Sequence, residues 1–100
     1  MQLGRVIGNV VSTQKDQGME GFKLLLVQTV TTKLEPRESF VVAIDSIGAG
    51  LGEIVFYCTG SSARMTQVTE NRPVDAAILG IVDYVDLEGK VIYRKEDAEG

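Results

Sequence analysis

The chain has no histidine, no tryptophan, one cysteine and two prolines in 100 residues. Histidine is the side chain most often used as a general base near neutral pH and as a metal ligand, so its absence removes the usual route to acid–base and zinc chemistry. With Cys58 alone, no intrachain disulfide can form, and the chain suits a reducing compartment. Basic residues are also few: ten Lys and Arg stand against fourteen Asp and Glu, for a net charge of −4, and they are scattered. That leaves no cationic footprint for a phosphate backbone. No apolar run approaches the ~18 residues needed to cross a bilayer, and no N-terminal stretch has the pattern of a secretory signal. The expectation is a cytoplasmic protein with neither membrane nor nucleic acid as partner.

What is present is ordinary for a globular domain, with 44% apolar and 24% charged residues. A domain of this length buries only enough surface for marginal stability unless association adds to it. Strand signals dominate. Leu3 to Thr13 is rich in β-branched residues, and Gly4 and Gly8 suggest bends or close backbone approaches. Phe22 to Val30 places Phe22, Leu24 and Leu26 on one face and Leu25 and Val27 on the other, so both faces are predicted to be covered. Thr31 to Ser39 reads as a loop, and Phe40 to Asp45 and Glu53 to Thr59 as the third and fourth strands.

Arg72 to Gly80 carries helix signals: Pro73 at the first helical position, Asp75 in the first turn and Gly80 as the stop. Ile81 to Leu87 then reads as a strand, and Glu88 to Lys90 as a turn into Val91 to Arg94. The predicted fold is mainly all-β: a small five-stranded OB-like β-barrel with one short α-helix and a C-terminal hairpin. Residues 1–94 would form the single domain and residues 95–100 a charged tail that frays unless a partner holds it.

The segment Ile47 to Arg64, IGAGLGEIVFYCTGSSAR, invites three chemical readings. Phosphate binding fails because Gly48, Gly50 and Gly52 form G-x-G-x-G followed by a strand, whereas a dinucleotide fingerprint is G-x-G-x-x-G and opens a helix. Nucleophilic catalysis at Ser62 lacks a histidine base, and no lysine lies between Lys33 and Lys90. An all-oxygen metal site would have to use Asp45, Asp75, Asp83 and Asp86, which lack the dense spacing of a calcium loop. No catalytic residue, metal or cofactor is implied. An OB-type barrel also raises single-stranded nucleic acid as an alternative partner, but the six aromatics, Phe22, Phe40, Phe56, Tyr57, Tyr84 and Tyr93, sit in apolar strands without basic interleaving. They read as core.

In an extended segment Gly48, Gly50 and Gly52 would share one face, a surface of bare backbone that another chain can approach closely. A second small cluster, Gly60 to Ala63, follows the intervening strand. Copies of one segment converge around a rotational axis, where small residues fit best, although spacing cannot reveal how many copies meet.

The stretches MQLGRVIGNVVSTQK, KLLLVQ, VAIDSIGAGLGEIVFYCTGSSAR and RPVDAAILGIVD together resemble the EutN/CcmL family, the pentameric vertex proteins of bacterial microcompartment shells. The paired motifs D-x-I-G-A-G-x-G-E and G-S-S-A-R carry most of the resemblance. It implies an OB-like barrel assembled as a homopentamer, an architectural role beside hexameric shell proteins in the bacterial cytoplasm, no enzymatic activity and a narrow central pore. Carried over by motif position, the interface or pore residues would be Gly48, Ala49, Gly50, Gly60, Ser61, Ser62, Ala63 and Arg64. The compartment could be a carboxysome or a catabolic one.

Overall fold

A computed structural model describes residues 1–12, 22–66, 69–70 and 75–97. These residues form seven strands: β1 (Gln2–Val10), β2 (Lys23–Val30), β3 (Pro36–Asp45), β4 (Ile54–Thr59), β5 (Ala76–Ile81), β6 (Tyr84–Leu87) and β7 (Lys90–Arg94). The first five close a barrel in the order β1-β2-β3-β5-β4, and β6 and β7 make a separate two-stranded sheet. All barrel pairings are antiparallel except β3 with β5, which are parallel and meet through Ile44 and Ala77. This is the five-stranded OB-like barrel expected from the sequence.

Alternation on β2 sets the interior. Leu25 and Val27 point into the barrel and are fully buried, joining Val6, Ala43, Val55, Tyr57 and Ile78. Leu24 faces outward and is covered by a second cluster on the outer wall, built on Ile44, Cys58, Ala63 and Ala77. Both faces of β2 are therefore used, and Cys58 is the buried small hydrophobe its apolar strand predicts. Each fully buried Leu, Val or Ile contributes about 1.5–3 kcal/mol relative to exposure. Inside the barrel the Tyr57 hydroxyl donates to Gln2 Oε1 at 2.9 Å and lies 2.6 Å from Thr29 Oγ1, so neither buried hydroxyl is left unpaired.

Two glycines show why a small barrel needs them. A Cβ on Gly4 would collide with Val27 and Tyr57 in the interior, and one on Gly80 would overlap the Phe56 ring. The bend expected near Gly8 is a β-bulge: pairing with β2 shifts between Val6 and Gly8.

The predicted helix is not formed. Ala76–Ile81 is strand β5, paired with β4 through Cys58 with Ala77, Tyr57 with Ile78 and Phe56 with Gly80; Arg72–Val74 lie outside the described residues. Six apolar residues after a capping signal are too few to show a helical or a strand period, and ladder pairing with β4 decides the matter. Gly80 serves not as a helix stop but as the seat of the Phe56 ring. Two further boundaries move. β3 starts at Pro36 rather than Phe40, since a proline is tolerated as the first residue of a strand. The single strand expected from Ile81 to Leu87 breaks at Val82 and Asp83. The aromatics are not all core either: Phe40 is 53% exposed and Tyr84 60%.

The hairpin turn at Glu88 and Gly89 is as expected, with both residues at positive φ and the Gly89 N–H donating to Asp86 Oδ1 at 3.0 Å. Among the described residues, the hairpin touches the barrel strands sparsely and is moored through Tyr93. The Ile54 N–H donates to the Tyr93 hydroxyl at 3.1 Å, and the Arg5 guanidinium lies 5.9 Å from the ring centre. The backbone continues the mooring, with Val82 N–H donating to Ile54 O at 2.9 Å and Lys95 N–H to Asp83 O at 2.8 Å.

Candidate functional site

The loop from Ser46 to Glu53 joins the end of β3 to the start of β4, and two buried carboxylates shape it. Asp45, 4% exposed, accepts from the backbone N–H of Ile47 at 2.9 Å, of Gly48 at 3.2 Å to each oxygen, and of Ala49 at 2.8 Å. Three successive amides thus converge on one acid, the role of an Asx turn extended by two residues. At the other end Glu53 Oε1 accepts from Gly50 N–H at 2.5 Å, and Glu53 Oε2 lies 3.8 Å from Lys95 Nζ, so one side chain ties the loop to the base of the hairpin.

Backbone contacts complete the frame. Lys23 Nζ donates to Ala49 O at 3.2 Å, Arg5 donates to Gly52 O at 2.8 Å, and Gly52 N–H donates to Val6 O at 2.8 Å. Gly48 and Gly52 hold φ of 100° and 87°, which other residues adopt only with strain, so their freedom is required for this path.

The structure divides the eight residues singled out from the sequence. Ala49 is 1% exposed and belongs to the barrel core, where it packs with Val6 and Tyr57. Ala63 is fully buried in the outer cluster with Ile44, Cys58 and Ala77. Both lie within the chain's own packing. Gly48, Ser61, Ser62 and Arg64 are exposed, and Gly50 and Gly60 half-exposed. Gly60 to Arg64 forms a single 3₁₀ turn, with Gly60 at φ 66° and its N–H donating to Asp75 O at 2.9 Å.

The two segments flank opposite ends of β4 in sequence, yet their neighbours meet. Ser46 and Ile47 share a cleft of about 150 Å³ with Thr66 and Thr69, which follow the 3₁₀ turn. Thr66 and Thr69 are locked together by a 2.6 Å hydroxyl contact. Sequence reasoning missed Asp45 and Glu53 as the residues that hold the site. The signal was an acid immediately before and after the glycine run, a spacing at which each carboxylate can reach the loop's amides.

Chemically the site offers little beyond shape. Neither segment places a base beside a hydroxyl, and among the described residues no cluster of three His, Cys, Asp or Glu is arranged to hold a metal. Among the described residues no helix is long and apolar enough to cross a membrane. A closed barrel with two segments of small residues belongs to the class of architecture that another chain can approach closely.

Comparison with known proteins agrees with that class. The family model described as "Ethanolamine utilisation protein EutN/carboxysome" matches residues 1–83, and the chain belongs to the EutN/CcmL family of microcompartment shell vertex proteins. It is 45% identical over 97 residues to the carboxysome shell vertex protein CcmL of Gloeobacter violaceus, covering 97% of each chain. The solved structure of that relative superposes with a TM-score of 0.90, covering 97% of this chain and 100% of the other. Identity is again 45%, over 95 residues and 95% and 96% of the two chains, to the microcompartment shell vertex protein EutN of Salmonella typhimurium. The pentameric microcompartment shell protein GrpN from Rhodospirillum rubrum is 50% identical, with a TM-score of 0.79 over 87% of this chain and 99% of its own.

Proposed function

We propose that the chain forms a homopentamer that closes the vertices of a bacterial microcompartment shell in the cytoplasm, beside hexameric shell proteins, and that its role is architectural rather than enzymatic. A flat sheet of six-fold units cannot close on itself; five-fold units at the corners supply the curvature. The reading is carried by the carboxylate-pinned glycine loop, which is preorganised before any partner arrives, so that little conformational entropy is lost when copies meet. Kinship with a pentameric shell protein over most of the chain supports it. A ring also adds the burial that a 100-residue barrel lacks alone.

On this reading the exposed members of the two small segments, Gly48, Gly50, Gly60, Ser61, Ser62 and Arg64, lie at the subunit contact or line a narrow pore on the axis. Ala49 and Ala63 act from behind by fixing the shape of those segments. The same barrel serves carboxysomal and ethanolamine-utilisation relatives alike, with 45% identity both to the CcmL of Gloeobacter violaceus and to the EutN of Salmonella typhimurium. Native mass spectrometry at micromolar concentration tests the assembly: the expected species has five times the 10.8 kDa chain mass, and a monomer would overturn the proposal.

A further inference from the structure

A ring closed by rotation is held by a heterologous interface, in which one patch of each chain meets a different patch of the next. Among the exposed apolar residues described, two groups stand on regular strands. On the outer face of β3, Phe40 is 53% and Val42 49% exposed, and Glu38 lies two residues before Phe40 in the same strand. Among the described residues β3 is paired toward β5 only at Ile44. On the hairpin, Tyr84 is 60% and Ile92 39% exposed, and Arg94 stands opposite Tyr84 in the ladder. An isolated two-stranded hairpin is marginal in water, and this one is moored chiefly by Tyr93.

We propose that in the ring the hairpin β6–β7 of one copy packs on the outer face of β3 of its neighbour, Tyr84 and Ile92 covering Phe40 and Val42. This rests on the pentamer reading above. The hairpin is moored at Arg5 of β1 and Ile54 of β4, and β3 adjoins neither strand in the barrel order, so the two patches lie on different walls. That is the arrangement a head-to-tail contact between copies needs. Charge matches too: Arg94 stands beside Tyr84 on the hairpin patch and Glu38 lies near Phe40 on β3, while Asp86, on the Tyr84 face, is already engaged by the Gly89 N–H.

Cysteine cross-linking of the full chain tests the contact, because Cys58 is buried and gives little background. The double variants Phe40→Cys/Ile92→Cys and Val42→Cys/Tyr84→Cys, treated with a short bis-maleimide, are expected to give a ladder of covalent multimers on a denaturing gel. Each single variant alone is expected to give none, since in a heterologous contact a position does not meet its own copy. Mixing two complementary single variants should yield covalent dimers only, and this arm stands even if a double variant fails to assemble. Rings that form by native mass spectrometry but cross-link in neither pairing would overturn the proposed contact while leaving the pentamer intact. A wild-type chain that is monomeric in the same measurement would instead overturn the pentamer itself. As a second reading, Phe40→Asp is expected to raise the subunit concentration needed for the ring more than tenfold, and an unchanged concentration would count against the contact.

Discussion

Replacing Asp45 tests the idea that a single carboxylate holds the glycine loop. In Asp45→Ala the amides of Ile47 and Gly48, which are exposed, recover hydrogen bonds from water. The amide of Ala49 cannot, because that residue is 1% exposed in the barrel core. An orphaned buried donor costs about 1–3 kcal/mol, and loss of the charge-assisted contacts to the other two amides brings the total to about 3 kcal/mol. For a chain of this size about 4–8 °C is lost per kcal/mol, so the melting temperature should fall by about 12–24 °C. Asp45→Asn keeps one acceptor oxygen but must turn its NH2 group toward some of these N–H donors, for a cost of about 2 kcal/mol. Thermal unfolding by circular dichroism, at one fixed protein concentration because association contributes to stability, gives the comparison. Amide exchange at Ala49 should accelerate in both variants. If both melt within about 2 °C of the parent, the loop is held by something other than this carboxylate.

Gly80→Ala drives a methyl group into the Phe56 ring and should cost about 1–3 kcal/mol, seen as a lower urea midpoint with an unchanged slope. Tyr93→Phe leaves the fully buried Ile54 N–H without its acceptor, for a loss of about 1–3 kcal/mol; a melting temperature equal to the parent's would show that the hydroxyl does not hold the hairpin. Gly50→Leu should give a folded monomer in place of the ring. A Cβ there stands 3.3 Å from Glu53 Oε1, and the rest of the side chain adds bulk at the proposed subunit contact. A full ring from this variant on size-exclusion chromatography would remove Gly50 from the contact.

Gly50 and its neighbours also show how far local pattern reaches. The alternation in β2, the turn at Glu88 and Gly89, the burial of Cys58 and the mainly β character were legible because each depends on residues adjacent in the chain. The want of histidine and of a lysine near Ser62 argued against a catalytic reading without any coordinates. The family resemblance was equally legible, since motif order survives in the linear chain. Ala76–Ile81 was not, because its capping signals are local while its strand state comes from β4, which precedes it by more than a dozen residues. Nor were Ala49 and Ala63 readable as interior residues. In sequence a small residue in a glycine run looks like surface, and only the path imposed by Asp45 carries Ala49 into the barrel. Phe40 and Tyr84 show the converse, apolar residues in good strands that the barrel leaves outside. Side-chain period and composition are properties of neighbours along the chain and were settled by the sequence itself; which face becomes interior, and which small residues face a partner, is settled when distant strands pair and close the barrel.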